Sequence, residues 1–118
     1  MARVLIVDDD EMDRLLMRKI LGGAGHELFF AKNGEEGIKA YLRSGIDVIV
    51  SDIEMPDSDG LELIEAVTGM GMDVHIVVVS GKGAHLLAAA KGAGAHITLA
   101  KPLDPQALLK AVESPAKS

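Results

Sequence analysis

Val48-Ile49-Val50-Ser51-Asp52-Ile53-Glu54-Met55-Pro56-Asp57-Ser58-Asp59-Gly60 is the stretch from which the fold is read. Three β-branched residues in a row predict a buried strand. Asp52 stands where that strand runs out. Pro56 cannot donate to a ladder, and Asp57, Ser58, Asp59 and Gly60 are turn and helix-entry residues. One carboxylate is thereby placed at the C-terminal tip of a strand, immediately before a loop. In an open parallel α/β sheet this is the edge where ligands bind.

The same unit repeats on both sides. Val4-Leu5-Ile6-Val7 is an apolar run ending at Asp8-Asp9-Asp10. Met12, Leu15, Leu16, Met17 and Ile20 then recur at helical spacing and predict one inward stripe, with Arg14, Arg18 and Lys19 outside it. Met12 and Met17 read as core or half-core residues, and Asp10 as the acid at the helix N-terminus. Gly22-Gly23 and Gly25 end that helix. His26–Ala31 is a less apolar strand, and Glu35–Arg43 a helix facing inward with Ile38, Tyr41 and Leu42. Strand 47–51 and its loop precede a helix carrying Leu61, Leu63, Ile64 and Val67. Ile76–Val79 is strongly apolar and ends at Ser80. An Ala-rich helix over about 84–93 has Gly81, Gly83, Gly92 and Gly94 around it; an interior Gly costs ~1 kcal/mol relative to Ala, so this helix is expected to be the weakest. Ile97–Ala100 ends at Lys101-Pro102. Asp104 as N-cap and Pro105 in the first turn open the last helix.

Five strand–helix alternations with short connections demand parallel strands, right-handed crossovers and helices on both faces. The runs 4–7, 48–50 and 76–79 suit central strands; 26–31 and 97–100 suit edges. One domain is expected over 1–113, with Ser114–Ser118 as a tail or the start of a linker.

The 118 residues hold no Cys, which removes disulfides, thiol nucleophiles and thiolate metal sites. A formal net charge of −6 argues against direct nucleic-acid binding and against an anionic membrane as the main partner. With three aromatic residues, Phe29, Phe30 and Tyr41, a base-stacking platform is not expected. No apolar run approaches the ~20 residues of a membrane span, and Met1-Ala2-Arg3 leads into the first strand without a signal-peptide core, so a cytoplasmic location is expected.

The polar residues at strand ends are Asp8 and Asp9, then Asp52, Ser80 and Lys101. A doubly wound sheet brings all of them to one rim. Carboxylates ~4 Å apart repel by about 4 kcal/mol per pair at an effective dielectric near 20. A cation relieves that, and an all-oxygen ligand set suits Mg²⁺. A hydroxyl and an ammonium across the rim suit a phosphoryl group, and a carboxylate beside the metal can itself be the nucleophile, giving an aspartyl phosphate. His26, His75, His85 and His96 have no ligand spacing and read as surface or packing residues.

Taken together, Val7-Asp8-Asp9-Asp10, Ser51-Asp52-Ile53-Glu54-Met55-Pro56 with Asp59-Gly60, Val79-Ser80-Gly81 and Lys101-Pro102 resemble the receiver domains of two-component response regulators, chemotaxis regulators among them. The resemblance covers residues 2–113. It implies a flavodoxin-like doubly wound α/β fold, a five-stranded parallel sheet in the order 2-1-3-4-5 with five helices. It implies that Asp52 is the phosphoacceptor and that Mg²⁺ is held by Asp8, Asp9, Asp52 and the backbone carbonyl of Glu54. Ser80 and Lys101 would bind the phosphoryl group, and the Lys101-Pro102 peptide is commonly cis in the family. Glu54 and Lys82 would flank the path of the hydrolytic water; their opposite charges are expected to pair and to lengthen the phosphoryl lifetime.

The function so implied is phosphoryl transfer from a sensor histidine kinase or phosphotransfer protein to Asp52, switching the face built on helix four, strand five and helix five. No separate substrate is turned over, so the domain is not expected to be an enzyme in the ordinary sense. The output domain or target is unknown, and a homodimer through the same face is open. The chain departs from the family at Thr98, where an aromatic is usual, so the readout is expected to use Ser80 with a smaller rearrangement at Thr98. Ser58 stands where a hydrophobic residue is common. Two rival readings stay open: a receiver-like interaction scaffold not controlled by phosphorylation, and a Mg²⁺-dependent phosphohydrolase, which would need a second Asp where Glu54 stands. A nucleotide or flavin binder is weaker, because no phosphate-cradling glycine motif follows the first strand.

Overall fold

β3 (Val48–Asp52) and β4 (His75–Ser80) are buried at every residue. They lie mid-sheet with a helical layer on each face, which is why their sequences are near-continuous apolar runs. The computed structural model describes residues 2–54, 60–71, 73–81 and 84–113, with the backbone alone for Gly60 and residues 84–87. Around the two central strands, β1 (Arg3–Val7), α1 (Glu11–Gly22), β2 (Glu27–Ala31), α2 (Gly34–Ser44), α3 (Gly60–Gly69), α4 (Ala84–Ala93), β5 (Ile97–Ala100) and α5 (Pro105–Glu113) complete the alternation. The sheet is parallel throughout in the order β2-β1-β3-β4-β5. The fold class and strand order are those the resemblance implied. Among the described residues, no helix is long and apolar enough to cross a membrane.

Strand alternation splits the core in two. Val4, Ile6, Val48, Val50, Val77 and Val79 face α1 and α5, where Met17, Leu21, Leu108, Ala111 and Val112 meet them. Leu5, Val7, Ile49, Ile76 and Val78 face the other layer, against Tyr41, Leu63, Ile64, Val67 and Ala90. Each such side chain taken from water is worth about 1.5–3 kcal/mol. Helix starts follow local capping chemistry. Asp10 Oδ1 accepts from Met12 N at 3.0 Å, Asn33 Oδ1 from Glu36 N at 2.8 Å, and Asp104 Oδ1 from Gln106 N at 3.3 Å.

Two expectations about inward faces are corrected. On α1, Met12, Leu15 and Leu16 are exposed, Met12 to 71%. The inward line runs one position further round, through half-buried Asp13 and buried Met17 and Leu21, because the N-terminal turn of α1 stands over the polar rim and not over the core. On α2, Leu42 is 66% exposed, and Gly34, Gly37 and Tyr41 face in. A Cβ on Gly37 would lie 3.1 Å from Val7 Cγ2, so α2 sits close against the sheet along its glycine line and turns Leu42 outward. His75 is a packing residue as read: Nε2 donates to the Ala111 carbonyl at 2.8 Å and the ring stacks on His96 at 5.4 Å.

The end of α4 depends on Gly94, whose φ is +128° and where a Cβ would lie 2.4 Å from Thr68 Oγ1. Gly94→Ala is expected to cost about 2 kcal/mol or more in urea unfolding, through strain and clash together. Gly92→Ala, with nothing within 4 Å of its added Cβ, is expected to stabilise by about 0.5–1 kcal/mol. Equal midpoints for the two variants would remove the assigned role of Gly94.

Candidate functional site

Parallel register decides which residues share the rim. Val7 pairs with Ala31 and Ser51, Asp52 with Val79, and Ser80 with Ala100. The residues at and just past these pairs are Asp8, Asp52, Ser80 and Lys101. Backbone bonds carry the pairing onto the rim: Asp8 N to Ala31 O at 3.1 Å, Ile53 N to Val79 O at 3.4 Å, and Lys101 N to Ser80 O at 2.9 Å. The Lys101-Pro102 peptide is cis.

Asp8 is fully buried and Asp52 is 4% exposed. Lys101 Nζ donates to Asp52 Oδ2 at 3.0 Å and to Asp13 Oδ2 at 2.7 Å, and lies 3.5 Å from Asp8 Oδ2. The other oxygens are held by backbone. Asp52 Oδ1 accepts from Glu54 N at 2.8 Å, and Asp8 Oδ1 from Asp10 N at 2.9 Å. Asp8 Oδ2 is buried without a hydrogen-bond donor. Ser80 Oγ donates to Glu54 Oε2. The Arg14 guanidinium donates to the Asp8 carbonyl and fixes the start of α1 against the rim.

Of the residues singled out in the sequence, Asp8, Asp52, Glu54, Ser80 and Lys101 come together. Asp9 is exposed and is not one of the three acids, Asp8, Asp13 and Asp52, whose oxygens lie within 4.8 Å of one another. Thr98 is half-buried in β5, paired with Val78. Lys82 and Ser58 lie outside the described residues, so the Glu54–Lys82 pairing falls there too. The sequence reading passed over Asp13. Its signal was present: Asp13, Met17 and Leu21 are spaced by four, so a half-buried carboxylate lies on the inward line of α1.

The electrostatics follow from burial. Burial pushes the Asp8 carboxyl up to about 6; the Asp52 and Asp13 charges push the same way, and the Asp10 N–H and Lys101 oppose them. Burial also raises Asp52, against the Glu54 N–H and Lys101. Burial alone would lower Lys101, but its hydrogen bonds to Asp13 and Asp52 and the Asp8 charge hold it above the ordinary lysine range. Among the described residues, one ammonium faces three carboxylates and leaves negative charge uncompensated. A hard divalent cation fits this donor set, which is all oxygen and includes a buried acceptor without a donor.

A family model described as the response regulator receiver domain matches residues 4–113. Over 118 residues the chain is 33% identical to the chemotaxis protein CheY of Thermotoga maritima, covering 98% of each. It is 33% identical over 114 residues to the DNA-binding transcriptional regulator NtrC of Azospirillum brasilense, covering 95% of this chain and 24% of that one. The sensor histidine kinase RcsC of Salmonella typhimurium is 30% identical over 77 residues, covering 65% of this chain and 8% of its own length. Among solved structures, Vibrio cholerae CheY4 superposes with a TM-score of 0.90 at 31% identity, covering 98% of this chain and 99% of that one. The same unit thus matches one whole chain and small parts of much longer ones.

Because Asp8 is harder to ionise folded than unfolded, its penalty is absent below pH 3.8 and grows as pH rises through about 6. Asp8→Asn is therefore expected to stabilise the metal-free domain by about 2–3 kcal/mol at pH 7.5 and to lose that advantage by pH 4. Urea unfolding in EDTA at both pH values checks this; a variant less stable at pH 7.5 contradicts it.

Proposed function

The chain belongs to the response regulator receiver domain family, and from that premise we propose that it is the phosphoacceptor module of a two-component phosphorelay, with Asp52 as the acceptor. The observation that carries the reading is the Asp52 carboxylate itself. It is buried at a strand tip, with one oxygen on a backbone N–H, the other on Lys101, and the Asp8 carboxylate alongside.

In this reading an Asp52 oxygen forms a bond to phosphorus while the bond from phosphorus to the donor atom breaks; a departing imidazole ends as the neutral, protonated ring, and a departing carboxylate leaves as its anion. The donor is the phosphohistidine of a sensor kinase or phosphotransfer protein, or a small acyl phosphate. Asp8, Asp9, Asp52 and the Glu54 carbonyl would hold Mg²⁺, which supplies charge neutralisation for the phosphoryl oxygens. Lys101 follows the phosphoryl group as its counter-charge. Ser80 exchanges its bond to Glu54 for a phosphoryl oxygen and draws the end of β4 after it. Thr98, on the adjacent strand, takes the smaller rearrangement left to a chain without an aromatic there. The altered face is that of α4, β5 and α5, offered to an output domain or target, or to a second copy. The domain phosphorylates and dephosphorylates itself without turning over another substrate, and a cytoplasmic location accompanies the role. Glu54 and Lys82 are assigned to slowing hydrolysis.

Intact mass after incubation with acetyl phosphate and Mg²⁺ is expected to show one added phosphoryl group, absent in Asp52→Asn and without metal. Decay of that mass is expected to be faster in Lys82→Ala. No gain, together with no binding of beryllofluoride, would favour the phosphorylation-independent scaffold; turnover of a phosphomonoester would favour the hydrolase. Beryllofluoride is also expected to shift the amide resonances of residues 80 and 98, and unchanged shifts there would remove the assigned switch.

A further inference from the structure

Asp13 occupies the third position of α1, with Asp10 as its N-cap. An acid at that position ordinarily serves the helix by reaching back to the N-cap backbone N–H. Here the Asp10 N–H is already taken by Asp8 Oδ1 at 2.9 Å. The favourable charge at the helix N-terminus is supplied next door by Glu11, which leaves that role filled without Asp13. The Asp13 carboxylate turns inward instead. It meets Lys101 Nζ at 2.7 Å, and one of its oxygens lies within 4.8 Å of oxygens of both Asp8 and Asp52. Asp8 Oδ2, fully buried and without a donor, belongs to the same cluster. Asp9, the neighbouring acid of the first strand–helix loop, is exposed and outside it.

We propose that Asp13 is a further carboxylate of the divalent-cation site, added to Asp8, Asp9 and Asp52 and contributed by the first turn of α1. The inference rests on the phosphoacceptor reading and extends its metal set by one residue. Removing water from charged oxygens this close together requires a positive charge among them, and among the described residues the one ammonium, Lys101, does not balance three acids. A hard divalent cation, which takes carboxylate oxygens and keeps part of its water, completes the balance. The site then joins α1 to β1 and β3, so loading it fixes the α1 turn that carries the exposed Met12.

Mg²⁺ titration of the metal-free full chain by isothermal calorimetry tests this without any phosphoryl transfer. Asp13→Asn is expected to weaken Mg²⁺ at least tenfold. Asp13→Glu, which restores the charge, is expected to recover most of that loss. Asp10→Asn removes the same charge from the same turn, and Asn is an equally good N-cap, so it is expected to change affinity by less than threefold. The same Asp13→Asn comparison in a Lys101→Met background separates a direct role from one exerted through the lysine: a loss that persists supports the inference, and a loss that vanishes overturns it. Unchanged affinity in Asp13→Asn, with wild type binding normally, overturns the inference alone. A wild-type chain that binds no Mg²⁺ overturns both the inference and the metal part of the reading beneath it. Thermal melts of each variant establish that the fold is intact.

Discussion

The ammonium of Lys101 lies 3.0 Å from Asp52, 2.7 Å from Asp13 and 3.5 Å from Asp8, and the arrangement of the rim follows from what one positive charge can hold. Two of these acids are almost wholly removed from water, where an unbalanced carboxylate is costly. The lysine offsets part of the repulsion and leaves the rest. A site so composed favours further positive charge among its oxygens, for the same electrostatic reason that burial raises Asp8 and Asp52.

That arrangement is affordable because the central strands are near-continuous apolar runs. β3 and β4 are buried along their whole length, and both core layers meet them with large side chains. The acids sit one residue beyond this core, tethered by backbone bonds from Asp8 and Ile53 and by the Lys101 N–H. Rigid positioning of the rim is a property of the sheet register. The helices contribute selectively: α1 delivers Asp13 and the Arg14 contact to the Asp8 carbonyl.

The opposite side of the rim is lighter. Ser80 spends its hydroxyl on Glu54, and Thr98 stands beside Val78 with a side chain too small to swing between buried and exposed positions. α4 is built of alanine, with glycine inside it and a left-handed glycine just after it. The curated relatives include a chain of this length and chains in which the same unit is a small part.

Hydrophobic runs ending in Asp8, Asp52, Ser80 and Lys101 are local facts, and the period-two and period-3.6 patterns around them suffice for a doubly wound parallel sheet with those four residues on one rim. Asp104 as an N-cap and Asp10 as the acid at the start of α1 were legible for the same reason, since a helix start depends on three or four neighbouring residues. What the chain alone did not settle was rotation of the helices about their axes. On α1 the pattern pointed Met12, Leu15 and Leu16 inward, and on α2 Leu42; tertiary packing turned each helix by about one residue. On α2 the cause is Gly37, which lets the backbone approach Val7 closely. On α1 the same rotation brings Asp13 to Lys101, while Asp9, in the loop before the helix, is exposed. Sequence determined which residues end the strands. Only the tertiary structure decided which acids face one another, because an azimuth of a helix is set by what it packs against and not by its own periodicity.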